Sequence, residues 1–264
     1  MKEYINFFIK NRAIYIKLVQ NDFKARYIGS YLGAIWGIIQ PIITILIYWF
    51  VFQIGLRSGD RPDGTPYILW MIAGMIPWFF FSDAVGATTN IYLEYSYMVK
   101  KLNFRISILP FVKIGSSLLI HITFLLFSTV IFNFYGFFAN WSYLQLIYYM
   151  FACIVLVAGI TFFTSTIAVY MRDTSQFIAI AIQIGFWIIP IVWAPEAISE
   201  KYLYLFKLNP VYYIVEGYRQ SLLSNTYFWQ SPLYTLYFWI VTLLIWTLSI
   251  YTFRKLKPYF SDIL

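Results

Sequence analysis

Residues 114–171 read IGSSLLIHITFLLFSTVIFNFYGFFANWSYLQLIYYMFACIVLVAGITFFTSTIAVYM, 58 residues without Asp, Glu, Lys or Arg. As one α-helix this run would extend about 87 Å at 1.5 Å per residue, against a bilayer core of about 30 Å. It must cross a membrane, turn and cross back. Tyr135-Gly136 and then Asn140-Trp141-Ser142 supply the turn-forming residues. Backbone polar groups in lipid must bond within their own segment, so both limbs are expected to be helices. The alternating pattern of barrel strands is missing.

Four more charge-free runs lie outward from this one, at 27–56, 64–82, 174–195 and 220–253. Together they predict six spans, near 35–56, 67–86, 112–134, 144–169, 176–194 and 233–253. The first is too long, and too far from residue 1, for a cleaved signal peptide. The expected fold is an all-α integral membrane bundle. Composition agrees, with 61% of the 264 residues hydrophobic and 11% charged, against about 25% charged in soluble domains. A disordered chain is excluded, and a soluble domain would lack the charge to cover its surface. One Cys and one His exclude multi-Cys and multi-His metal sites.

The net charge of +8 is read as topology rather than as a nucleic-acid footprint. With six spans, fourteen Lys and Arg fall on the side of the termini and five on the other. Inner loops carry the basic excess, so both termini are predicted to be cytoplasmic. The inner surface would also attract anionic lipid.

Several segments exceed what spanning needs. Residues 3–28 look like an amphipathic surface helix, with Lys10, Lys17 and Lys24 seven apart and an apolar stripe through Ile5, Phe8, Ile9, Ile16, Val19 and Phe23. The inner loop 94–105 carries Glu94, Tyr95, Tyr97, Lys100, Lys101, Phe104 and Arg105. Aromatics beside basic residues at a water-facing turn suggest a protein-docking helix. Arg172-Asp173 forms the next inner turn, as an intraloop pair or a partner contact. The outer loop 195–232 contains Asn209-Pro210 followed by Tyr212, Tyr213, Glu216 and Arg219. Asn-Pro is a helix start, and the apolar stretch behind it is too short to span, so a re-entrant or interfacial helix that caps a conduit is expected. Glu216 and Arg219 are spaced to pair; the plainer alternative is a surface pair of little energy. Asp83 is the one acid within a predicted span, facing protein or water, or snorkelling to the interface. His121 is expected to be a satisfied buried polar group, and Cys153 a small buried apolar one.

There is no G-x-x-x-x-G-K-[ST] loop, so nucleotide hydrolysis through that motif is excluded. No H-E-x-x-H or G-x-S-x-G appears either. Among 60 aromatic residues, Trp70, Trp78, Trp141 and Trp239 are read as interface belts. Tyr48, Trp49, Phe52, Phe186 and Trp187 fall mid-span and are candidates to line a sugar path. Lys24 and Arg26 are candidates for an anionic lipid head group at the inner surface. Two rival classes stay open: a membrane enzyme acting on lipid-linked sugars, and a passive channel or scaffold.

Arg26-Tyr27-Ile28-Gly29-Ser30-Tyr31-Leu32-Gly33, Trp36 and Gln40-Pro41 open the chain in a pattern similar to the polysaccharide-exporting ABC-2 permeases. Ile76-Pro77-Trp78-Phe79-Phe80-Phe81, Glu94-Tyr95-Ser96-Tyr97 with Lys100-Lys101, Arg172-Asp173 and Leu208-Asn209-Pro210-Val211-Tyr212-Tyr213 continue it in order. Within this family the wall teichoic acid branch matches best, and the O-antigen branch has the same layout. The resemblance implies the type V exporter fold. It implies a homodimer of six-span subunits working with two copies of an ABC ATPase, which would hold ATP and Mg; this chain would hold no cofactor. The cargo would be a glycopolymer on undecaprenyl diphosphate, exported across the bacterial cytoplasmic membrane. Residues 1–30 would form the interface helix and 31–264 the transmembrane domain. The segment 92–105 with Arg172 and Asp173 would couple to the ATPase, and 196–223 would form the outer gate.

Overall fold

The computed structural model describes residues 12–28, 31–57, 59–101, 106–195, 198–224 and 226–264. Among them every regular element is a helix. Helix α1 is Arg12–Ala25. A 3₁₀ turn at Gly33–Ile35 leads into α2 (Trp36–Trp49), which widens into a π-helical turn at Phe50–Gly55. Then follow α3 (Tyr67–Thr89), α4 (Ile91–Glu94), α5 (Ser96–Lys101), α6 (Leu109–Phe134) and α7 (Gln145–Tyr170). The chain closes with α8 (Thr174–Ile188), α9 (Glu200–Lys207), α10 (Pro210–Leu223), α11 (Pro232–Leu256) and α12 (Phe260–Ile263). The turn expected in the long apolar run is present: α6 ends at Phe134, and Asn140 accepts from the Ser142 amide to start the next helical turn.

Among the described residues, five helical stretches are long and apolar enough to cross a membrane: Gly33–Gly55, Tyr67–Thr89, Ile106–Phe134, Trp141–Tyr170 and Pro232–Tyr259. The fifth of the six expected spans, 176–194, needs correction. Helix α8 has 15 residues, or about 22 Å of rise, short of the roughly 30 Å core. The cause is Pro190, which disfavours helical backbone at the residue before it. Ile189 is accordingly extended, with φ −78° and ψ 132°. Residues 189–192 continue as buried, non-helical chain.

Helix α3 is the hub. It is apolar all round, the pattern of a helix with no wet face. It packs against α6, α7, α8 and α10. Trp70 and Trp78 sit inside this core, 6% and 5% exposed; they are core residues and not the lipid-interface belt expected of them. Trp141 is exposed and Trp239 half-buried. By contrast α2 and α11 turn Ile43, Leu46, Ile47, Leu243 and Leu244 outward, as helices in contact with lipid do.

Helix α1 packs on α6, with Val19 against Val112 and Ile108. Of the expected apolar stripe, Val19 is buried, Phe23 half-buried and Ile16 exposed. Lys17 and Lys24 are exposed. Ile5, Phe8, Ile9 and Lys10 lie outside the described residues, as do Phe104 and Arg105.

Candidate functional site

Where α1, α3, α4 and α6 come together at one end of the bundle, five charged side chains form one chain of ion pairs. Asp22 on α1 is 3% exposed. Its Oδ1 lies 2.9 Å from Lys113 Nζ at the start of α6, and its Oδ2 lies 3.4 Å from Arg26 Nε. Lys113 Nζ reaches Glu94 Oε2 of α4 at 2.8 Å. Arg26 Nη1 reaches Asp83 Oδ2 of α3 at 2.8 Å. Hydroxyls complete the shell: Ser116 donates to Asp22 at 2.6 Å, Tyr95 donates to Asp22 at 3.4 Å, and Arg26 donates to Ser117 at 3.1 Å. Ions this far out of water persist only when paired and hydrogen-bonded. Burial alone would pull the Arg26 pKa down, but Asp83 and Asp22 outweigh it and hold it above the ordinary arginine value.

This relay places the candidate residues of the inner side. Arg26, expected to be available to a head group, instead has Asp83, Asp22 and Ser117 as partners. Lys24 is exposed, with no ion pair among the described residues. Asp83 takes the protein-facing option through Arg26. Glu94 and Tyr95 meet the relay directly, while Tyr97 is exposed. Lys100 and Lys101 close α5. Arg172 and Asp173 are exposed in the turn between α7 and α8, unpaired with each other among the described residues. Asp22 and Lys113 are the participants the sequence reading missed.

At the other end, α10 begins as its sequence predicts: the Asn209 side chain accepts from the Val211 amide, and Pro210 occupies the first turn. The helix does not lie on the surface. Tyr212, Tyr213 and Arg219 are buried and Glu216 is half-buried. Arg219, 3% exposed, pairs with Glu216 at 3.4 Å, which corrects the surface-pair alternative. Its guanidinium lies 3.6 Å from the Trp70 ring centroid and donates to the Ile191 carbonyl at 3.0 Å and the Trp70 carbonyl at 3.3 Å. Ile191 belongs to the unwound segment after α8. Non-helical backbone at membrane depth needs such partners. Tyr67 donates to the Val192 carbonyl, and the Trp193 indole donates to the Trp187 carbonyl at 2.9 Å. Gly74 on α3 leaves room for this arrangement: a Cβ there would stand 2.6 Å from Arg219 Nη2.

Replacing Arg219 with Met should therefore unlatch the end of α8. It strands the buried Ile191 carbonyl, takes a second donor from the Trp70 carbonyl and removes a cation–π contact, a loss on the order of 2–4 kcal/mol. Arg219→Lys keeps the charge but not the planar fork, and should fall between the two. Thermal unfolding of the purified chain checks the ranking; equal stability for Met and wild type would show that Arg219 is not the latch.

The mid-span aromatics form a ladder leading to this latch. The Tyr48 ring lies 5.2 Å from Phe186, and 6.4 Å from both Trp187 and Phe52. Phe52 stacks on Tyr67 at 6.4 Å, and Tyr67 lies 6.1 Å from Trp70. Trp49 packs half-buried against the core beside them. Phe186 is buried and also touches Trp78, whereas Trp187 is half open. His121 is buried, with Nε2 2.9 Å from the Tyr218 hydroxyl, and Cys153 is buried and free. No group of three or more potential metal-ligating residues occurs among the described residues.

Comparison with known proteins agrees with this architecture. The family model for ABC-2 type transporters matches residues 15–223. Two O-antigen export system permease proteins RfbA of Klebsiella pneumoniae are 27% and 26% identical over 251 and 255 residues, each alignment covering 94% of both chains. An O-antigen export system permease protein RfbA of Myxococcus xanthus is 24% identical over 92% of this chain and 93% of its own. A helical bundle with five membrane-length helices, matched by that family model over most of its length, is a multi-pass membrane protein and belongs to the ABC-2 type transporter family.

Proposed function

We propose that the chain is the membrane subunit of an ATP-driven exporter of an O-antigen-type polysaccharide. The observation that carries this is full-length similarity to three O-antigen export permeases. It favours the O-antigen branch over the wall teichoic acid branch that the sequence motifs suggested. With no G-x-x-x-x-G-K-[ST] loop in this sequence, the motor in this reading is a separate ATPase. In this reading two copies of the chain work with two ABC ATPase subunits that hold ATP and Mg. The complex sits in the bacterial cytoplasmic membrane with both termini inside, where the basic excess belongs.

The cargo in this reading is a glycopolymer on undecaprenyl diphosphate. Lys24, exposed on α1 as Lys17 is, would be a cation available to its head group. Closure of the ATPase would push on α4–α5 and on the Arg172-Asp173 turn. Glu94, bonded to Lys113, would pass that movement to α1 and α3 through the ion-pair relay. The aromatic ladder from Trp187 to Trp70 offers sugar rings flat apolar faces, and the Arg219 latch closes its outer end.

Co-expression with a candidate ABC ATPase from the same genome tests the reading. The two should co-purify, and ATP hydrolysis should rise when a lipid-linked glycopolymer is added. Export by the purified chain alone, or no affinity for that ATPase, would refute it.

A further inference from the structure

A cavity of about 320 Å³ lies between α2, α3 and α6, within the roughly 300–1,000 Å³ range of small-ligand sites. Its lining is part polar, with Gln40, Thr44, Ser82, Asp83, Ser117 and His121. The rings of Phe79, Phe80 and Phe124 also line it. Asp83 and Ser117 meet Arg26, and Thr44 and Ser82 donate to carbonyls of their own helices. Each keeps acceptor capacity, and the Gln40 side chain is exposed, so the lining can still serve a polar ligand. His121 lies against the Ile76 backbone, with its Nδ1 buried and without a well-formed hydrogen bond. Gly37 also lines the cavity, and its carbonyl loses its usual helical donor because Pro41 has no N–H.

The charge balance selects the ligand. No Lys or Arg is among the lining residues, and the charged group there is the Asp83 carboxylate. Arg26, the cation beside it, is spent on Asp83, Asp22 and Ser117. A diphosphate would be repelled. An uncharged ring with hydroxyls around its edge and C–H groups on its faces suits both kinds of lining group. We propose that this cavity is a saccharide site, holding one neutral sugar unit of the cargo between α2, α3 and α6, its hydroxyls on the polar groups and its C–H faces on the three rings. The assignment of that sugar to exported cargo rests on the function proposed above; the binding does not.

Two measurements separate the two. In a Cys153→Ser background, Thr44→Cys places the single thiol in the cavity, and Ile47→Cys places it on the exposed face of α2. The full chain in nanodiscs is alkylated with a water-soluble maleimide, with octyl β-D-glucoside below its micellar concentration or with octyl phosphate. Octyl glucoside should slow labelling at residue 44 by about fivefold once it is present at several times its dissociation constant. Octyl phosphate should not, and residue 47 should be indifferent to both. No protection at residue 44, or equal protection by both amphiphiles, would overturn the site. Second, Gln40→Leu with Thr44→Val should cut glycopolymer export roughly tenfold at equal folded level, as loss of two substrate hydrogen bonds implies. Wild-type export by this variant would overturn the site's place on the route. A wild-type complex that exports nothing would count against the exporter, and the labelling result would still be readable.

Discussion

Gly217→Ala is expected to remove most folded protein from the membrane. A Cβ at residue 217 would stand 2.1 Å from Tyr149 Cε1 and 2.3 Å from Cδ1 and Cζ. That is well inside van der Waals contact, and the obstacle is a ring. Tyr149 is 1% exposed, and its ring meets Tyr148 at 5.1 Å and Tyr213 at 5.4 Å. It has nowhere to swing, so α10 would have to leave α7. Overpacking usually costs about 1–3 kcal/mol, and a backbone-to-ring overlap in a crowded site falls at or above the top of that range. Fluorescence-detected gel filtration of the full chain should show loss of the monodisperse peak. Gly217→Ala combined with Tyr149→Leu should recover much of it, because the smaller side chain vacates the space. A wild-type peak for Gly217→Ala alone would mean that α10 does not lie against Tyr149.

The spans were legible because lipid imposes one rule on the whole run: no charge and about 20 residues. Hence the hairpin in 114–171 and its turn could be placed from composition alone. The fifth segment was misjudged because apolarity was weighed there without the backbone. Pro190 stood in plain view, but the run 174–195 carries no charge, and hydropathy does not register a missing N–H. Residue-level roles faded for a different reason. Glu216 and Arg219, three apart on an apolar helix, read equally well as a surface pair. Only contact with Ile191 and Trp70, 28 and 149 residues away in sequence, makes Arg219 a buried latch. The aromatic ladder fared better, since Tyr48, Phe52, Phe186 and Trp187 do meet. Their mid-span positions already set them at matching depths in neighbouring helices. Trp70 and Trp78 failed the same reasoning: being near a span end says nothing about which side of the helix faces lipid.

The ion-pair relay was the least legible feature, and it carries the second large effect. Neither Lys113 nor Asp22 carries a signal in the sequence that singles it out, and 91 residues separate them. Lys113→Met leaves Asp22 buried with Arg26 at 3.4 Å and the hydroxyls as its partners. Asp22→Asn leaves Lys113 to Glu94, whose side chain is 45% exposed and holds it less firmly. Breaking a buried pair costs about 3–5 kcal/mol when the remaining ion is uncompensated. Each ion here keeps some partner, so each single change should fall near the lower end. If the relay acts as a unit, Asp22→Asn with Lys113→Met should cost less than the sum of the singles, by about 1–3 kcal/mol. Chemical denaturation of the purified chain in detergent measures all three. Additive costs would reduce the relay to independent contacts. A coupled cycle has a functional corollary in the complex. In the exporter proposed above, the helices that the ATPase would push reach α1 and α3 through Lys113 and Asp22, so variants that still fold should hydrolyse ATP yet export less per ATP. A merely structural relay would instead lower both together, and that outcome would end its role in coupling.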